Sequence, residues 1–198
     1  MMQEFTQQVE ATARSVTDEI HTVLPGEIIS FDPASGLATA KPIGKYTNSS
    51  GETLEYPVVT DAPVIFPFCQ SVGAGVAFPV HIKDSCLILI SEVELDEWRS
   101  GASSEGSLKF DLSSAVILPG LIQGGSSIIS KACSANAVVV SGGGTELIVS
   151  GTGVSIDGDL TVSGNIKSTA GTVMAGSIDL KTHVHESADP GSDTSVAK

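Results

Sequence analysis

The last 88 residues of this 198-residue chain contain no Phe, Trp or Tyr, because all nine aromatic residues lie at or before Phe110. Glycine is distributed the other way, with 11 of its 21 occurrences between Gly124 and Gly176. A core built from large aromatic rings is therefore excluded from the C-terminal part. The change in composition near residue 120 predicts a boundary between two structural parts.

Basic residues are also scarce, with ten Lys and Arg against 23 Asp and Glu and a net charge of -13. Phosphate binding needs clustered basic side chains, so a nucleic-acid groove is not expected. Docking on an anionic membrane needs a polybasic segment, which is absent. The three cysteines, Cys69, Cys86 and Cys133, do not resemble a disulfide framework. We expect them to be buried thiols of a chain that folds in reducing cytosol.

The N-terminal segment is predicted to form a short helix over residues 3–22. Phe5, Val9, Val16 and Ile20 recur near helical spacing, with polar residues between them. The Leu-Pro-Gly triplet that follows is predicted to end the helix. Such a helix either packs on its own domain or docks on a partner, and the pattern leaves both possibilities open.

Residues 26–122 are predicted to form an all-β domain. Short apolar or alternating segments are separated by turn signals such as "DPASG" and "NSSGE". The predicted strands are "GEIISF", "LATAKPIG", "LEYPVV", "APVIFPF", "GVAFPV" and "SCLILI". This arrangement is typical of a small barrel or sandwich.

The segment from 123 to 180 has a regular pattern of apolar pairs at i and i+2, which indicates strands with one buried face. The pairs are Val138/Val140, Leu147/Val149, Val154/Ile156, Leu160/Val162 and Ile178/Leu180. Strands this short cannot close a core alone, so several copies winding around each other are expected. The alternative is a low-complexity, glycine-rich linker.

Two histidines, His183 and His185, flank one residue near the C-terminus. In a continuing strand both imidazoles would project from the same face. Three chains meeting on a three-fold axis would then bring six imidazoles together, an octahedral set that suits Fe or Ni better than Zn. The alternative is a pair of exposed histidines in a frayed terminus.

No enzyme is expected, because the sequence contains no G-x-S-x-G, no H-E-x-x-H and no phosphate-binding loop. An acidic cluster at residues 92–97 is better explained as a solvated loop than as a pair of glycosidase carboxylates.

Two sets of segments together resemble the central spike of contractile phage tails, the membrane-piercing protein of the baseplate. The first set is "LPGEIISFDPASGLATAKPI", "YPVVTDAPVIFP", "GVAFPVHIKDSCLILISEVELDEWRSG" and "FDLSSAVILPGL". The second is "SIDLKTHVHESADPGS", which is similar to the apex of that family. The resemblance implies an all-β protein with an oligosaccharide/oligonucleotide-binding (OB) barrel, an intertwined trimeric β-helix and a metal-bound apex.

The resemblance divides the chain into a docking helix at 1–25, the OB domain at 26–122, the β-helix at 123–176 and the apex at 177–198. It implies one iron ion per homotrimer, held on the axis by His183 and His185 of each chain. It also implies contact with tail hub and baseplate proteins through the N-terminal region. The protein would be assembled in the host cytoplasm and located at the baseplate tip of the virion, and it would pierce the host outer membrane on contraction without binding nucleic acid.

Two other functions fit the same patterns. One is the spike of a bacterial contractile injection system, which would work in the same way. The other is a trimeric β-helical tail fibre or tailspike that binds surface polysaccharide. Sugar-binding surfaces usually offer aromatic platforms, and the C-terminal part of this chain has none.

Overall fold

The computed structural model describes residues 2–18, 20–48, 51–101 and 109–183, with the side chains of residues 4–13 in the first helix. The protein is mostly β-structure with few helices. It divides into two compact units, Met1–Ser126 and Ser127–Lys198. Within the described part of the chain, no helix is both long and apolar enough to cross a membrane.

The first helix, α1, spans Met2–Asp18 and is shorter than the predicted 3–22. Its described side chains, residues 4–13, are all exposed. The Leu-Pro-Gly triplet does not end this helix but lies inside the first strand, β1 (Val23–Asp32). Glycine is needed in the strand because a Cβ at Gly26 would come within 2.7 Å of Ile88 Cδ1. The triplet therefore serves packing and not helix termination.

Five strands of the first unit form one antiparallel sheet in the order β5-β2-β1-β8-β9. Its strands are β1, β2 (Leu37–Pro42), β5 (Val59–Pro63), β8 (Ser85–Ile90) and β9 (Ala115–Pro119). The sheet curls into a half-barrel, with register shifts in β1 and β2. Its two edges meet where Val64 forms a parallel bridge with Ile117, and the Ile65 N–H donates to the Ile117 carbonyl over 2.8 Å.

The core of this unit is aliphatic. Ile28, Ile88, Ile117 and Cys86 are fully buried. Along β8, intermediate and buried residues alternate strictly, as a strand with one inward face requires. Among the described residues, every buried hydrophobic side chain lies between Ile28 and Ile117.

Shorter elements surround the half-barrel. They are β3 (Lys45–Thr47), β4 (Thr53–Glu55), β6 (Phe68–Cys69), β7 (Ala74–Gly75), α2 (Leu95–Ser100) and a 3-10 turn (Leu112–Ser114). The strand predicted over "GVAFPV" is wrong beyond Gly75, which is its only residue in β7. Pro79 has no N–H to donate to a ladder, and the residues between take no regular structure. The predicted strand "APVIFPF" is likewise divided among β5, the bridge at Val64 and β6.

The prediction of three buried cysteines is wrong for two of them. Cys86 is buried, and burial raises the pKa of its thiol to about 11. Cys69 and Cys133 are exposed. Cys69 lies in the β6–β7 hairpin and Cys133 on a helix, and neither element places the residue in the core.

In its described residues, 127–183, the second unit contains one helix and two small antiparallel sheets. Its elements are α3 (Ser127–Ala135), β10 (Val138–Ser141), β11 (Glu146–Ser150), β12 (Gly153–Asp157), β13 (Met174–Ala175) and β14 (Ile178–Asp179). The strands β10-β11-β12 form a meander, and β13 pairs with β14. Three of the five apolar pairs fall in these strands as predicted. Leu160 and Val162 lie in no strand of the described chain, where they have no neighbouring segment to pair with.

Candidate functional site

The chain turns at residues 180–182, so β14 does not run on as a strand to His183. The condition under which both imidazoles would share one strand face is therefore not met at His183, and the chain bends there. After β14 the chain reverses, and the His183 N–H donates to the Asp179 carbonyl over 2.9 Å. The Leu180 N–H still donates to the Val173 carbonyl over 2.9 Å, which holds the start of the turn against the opposite arm of the hairpin.

Asp179 is the residue that makes this turn. Its Oδ1 accepts the Lys181 N–H over 2.8 Å and also accepts the Thr172 hydroxyl. The Thr172 hydroxyl is the larger cause, and the Lys181 N–H the second, of a carboxyl pKa below its ordinary value. An aspartate that bonds an N–H two residues ahead replaces one bond of a strand ladder with a local turn.

His183 is oriented by a backbone carbonyl. Its Nδ1 lies 3.1 Å from the Leu180 oxygen, and a carbonyl can only accept, so Nδ1 carries the hydrogen. In the neutral ring the lone pair is therefore on Nε2. Metal-binding histidines commonly donate their other ring N–H in this way, which fixes the tautomer and the ring orientation. The donor set of His183 thus fits a metal ligand that binds through Nε2.

His185, the other predicted ligand, lies outside the described residues. Within the described residues, no group of three or more His, Cys, Asp or Glu side chains is placed to hold a metal ion. One chain therefore supplies one described imidazole, and the predicted metal centre would need imidazoles from other chains.

The β10–β12 sheet carries six apolar side chains on one side, called the apolar face below. The strand register aligns them in two rows across the sheet. The rows are Val138, Val149, Val154 and Val140, Leu147, Ile156. Five of the six expose at least 40% of their surface, and Val138 and Val154 each expose 64%.

The opposite side of the same sheet carries Val139 and Ile148, both half-buried, together with polar residues, and it is partly covered by α3. Lys131 on α3 makes an ion pair with Glu146 on β11. This contact is the main reason that the Lys131 pKa is raised, and the charge of Asp157 adds to it. One side of the sheet is thus partly covered by α3, and the apolar face on the other side is exposed to solvent in the single chain.

Residues 24–120 match the family model described as "Phage protein Gp138 N-terminal domain". The match begins in β1 and ends one residue after β9, so it covers the half-barrel and just under half of the chain. It supports a phage structural protein, associated with the virion. No curated protein matches the chain. The apolar face and the turn at residues 180–182 lie beyond the matched residues.

Sequence reasoning found the i, i+2 pairs and His183 but missed the residues that position them. The aspartate of "SIDLKT" and the helix α3 were not singled out. A signal for the first was present, because Asp side chains commonly accept a backbone N–H two residues ahead and so form turns. The Lys131–Glu146 pair joins residues 15 apart and left no local signal.

Proposed function

We propose that this protein is the central spike of a contractile phage tail, a homotrimer that pierces the host outer membrane when the tail contracts. The observation that carries the proposal is the apolar face of the β10–β12 sheet. A three-stranded sheet that directs six apolar side chains to water has an unfavourable exposed surface, and such a surface indicates contact with another molecule.

Three copies around one axis would bury this face. The Val, Leu and Ile side chains of the two rows are small enough for a narrow core that three chains share. Aromatic rings, absent from this part of the sequence, would not fit close to such an axis. The side of each sheet that packs near α3, with the Lys131–Glu146 ion pair, would remain outside. Association would also let segments such as Leu160–Val162 find partners in neighbouring chains, giving the intertwined β-helix expected from the resemblance.

The apex would bind one metal ion per trimer, with iron preferred from the resemblance. His183 and His185 of the three chains would supply six imidazole nitrogens, the number that an octahedral ion takes. When bound, the ion would supply cross-linking and no redox step. The turn at Asp179 supports this role, since it fixes the ring of His183 on a short hairpin next to the site.

The half-barrel would join the spike to the tail hub, with α1 contributing to the N-terminal contact. Closure of the sheet by a parallel bridge at Val64 and Ile117 supports the OB interpretation of this unit. We propose no nucleic-acid role, since each chain carries a net charge of -13. We also propose no catalytic role: contraction supplies the work, and the spike transmits it.

Elemental analysis combined with light scattering tests the proposal. We expect three times the 20.2 kDa chain mass and a ratio near one transition metal per three chains. His183→Ala should remove the metal and keep the trimer. His81→Ala is the matched control, since His81 is also an exposed histidine, and it should change neither quantity. A monomer, or one metal per chain, contradicts the proposal, as does wild-type protein that holds no transition metal when it is prepared without chelators.

A further inference from the structure

We propose that α1 packs against the α1 helices of two further copies as a short parallel three-helix coiled coil. The inference rests on the proposed homotrimer and adds an interface at its N-terminal end. It starts from the heptad pattern of the helix. With Met2 at position a, the a and d positions are Met2, Phe5, Val9, Thr12 and Val16. This is the 3.5-residue repeat of a coiled-coil seam over more than two heptads.

The charged residues of α1 all fall on the outer side of this pattern. They are Glu4 and Asp18 at position c, Glu10 at b and Arg14 at f. The e and g positions, which flank the seam, are Thr6, Gln8, Ala13 and Ser15. No like charges would therefore meet when identical helices associate, although the chain as a whole is strongly acidic. A seam with uncharged flanks suits a second copy of itself better than it suits a charged partner.

The described part of the seam, at residues 5–12, is exposed in the single chain. Phe5 is 68% exposed and Val9 is 52% exposed. A helix of 17 residues is close to the length at which isolated helices are marginal in water, so an exposed apolar seam would need a partner to be stable. In a trimer the three N-terminal segments are tethered, which gives them an effective concentration on the order of millimolar.

Thr12 is the one polar residue of the seam, and its hydroxyl is already used. Thr12 Oγ1 donates to the Gln8 carbonyl of the same helix over 2.9 Å. Its burial at a helix interface would thus leave no unsatisfied donor. The methyl group of Thr12 can then contribute to the seam as an alanine would.

Cysteine cross-linking in the full-length chain tests the interface. Thr12→Cys places a thiol in the seam, and Gln7→Cys places one at the outer position f. Both are made with Cys69→Ser and Cys133→Ser, which remove the exposed thiols, while the buried Cys86 stays. Under mild oxidation we expect Thr12→Cys to give covalent dimers at least tenfold faster than Gln7→Cys. Equal rates, or no dimers from Thr12→Cys in a protein that scatters light as a trimer, overturn the inference and leave the proposed function standing.

A second pair of variants distinguishes two possibilities. The seam packs against the α1 helices of other copies, or it stays exposed until it contacts the tail hub. Phe5→Asp should lower the helical circular dichroism of the purified trimer and speed proteolysis of the N-terminal segment, while Gln7→Asp should do neither. Unchanged helicity in Phe5→Asp would show that the seam has no partner in the trimer and would overturn the inference. A monomeric wild-type protein would instead overturn the proposed function, and this inference with it.

Discussion

Truncation of one valine on the apolar face gives a quantitative test of the trimer. Val154 lies in the edge strand β12, at the end of the row it forms with Val149 and Val138. It is 64% exposed in the single chain, so Val154→Ala should cost almost nothing within one unassociated chain. In a trimer that buries the face, the same change removes buried methyl groups from each of the three chains.

The expected size follows from the exposed fraction. Full burial of a valine side chain is worth about 1.5–3 kcal/mol, and about two thirds of that remains to be gained on association. Truncation to alanine loses part of this gain, roughly 1 kcal/mol per chain and about 3 kcal/mol per trimer. At 1.4 kcal/mol per decade, the trimer dissociation constant should rise about 100-fold.

The assay is light scattering over a dilution series in moderate urea, where trimer and monomer coexist. Ser155→Ala is the matched control, because Ser155 is the next residue of β12, is also exposed, and points to the opposite side of the sheet. We expect the Val154→Ala curve to shift to higher concentration and the Ser155→Ala curve to overlay the wild type. Identical curves for both variants would refute the reasoning, because they would show that the apolar face stays in water.

Three further outcomes are expected. Ile88→Ala, at a fully buried position, should lower the free energy of unfolding of the half-barrel by about 2–5 kcal/mol in urea denaturation, whereas Ile82→Ala, 64% exposed, should change it by less than about 0.5 kcal/mol. Because the folded pKa of Asp179 is lowered, its carboxylate stabilises the turn at residues 180–182 at pH values above the ordinary carboxyl range, and it loses this effect as pH falls through the lowered pKa. Asp179→Asn should abolish that acid transition in amide exchange of metal-free protein, and an unchanged transition would assign it to another group. Purified protein should clear no zone in peptidoglycan zymography, and a zone abolished by one carboxylate substitution would contradict the absence of catalysis.

The half-barrel could be predicted from sequence because its strands carry their own signals. In β8, buried and half-buried residues alternate one for one, and "SCLILI" shows the apolar content directly. The predicted end of the first helix was wrong because the same residue type serves two different structural roles. Glycine in the Leu-Pro-Gly triplet is typical of a helix end, but in the fold it gives Ile88 room against β1. Only the packed structure distinguishes the two.

The second unit shows a sharper limit. The helix α3, "SIISKACSA", contains two adjacent β-branched residues and three serines, which are weak helix formers. It forms beside a sheet whose Glu146 pairs with Lys131, a contact set by tertiary structure. The turn after Asp179 is a converse case, since the change of side between Leu180 and the histidines indicated a bend near Lys181 but did not identify the residue that makes it. Local hydrogen bonds to one carboxylate form that bend.

The two units differ in where their apolar residues find partners, and this difference bears on how a spike could work. The half-barrel closes its aliphatic core within one chain, from Ile28 to Ile117, so its stability is a property of the monomer. The second unit has no buried hydrophobic residue among those described, and the proposed trimer would supply the burial that it lacks. A needle built this way would gain stiffness only after three chains have met, and before that its C-terminal part would stay free to wind with its neighbours. Substitutions on the apolar face should therefore change assembly and leave the half-barrel folded, whereas substitutions at Ile88 should do the reverse.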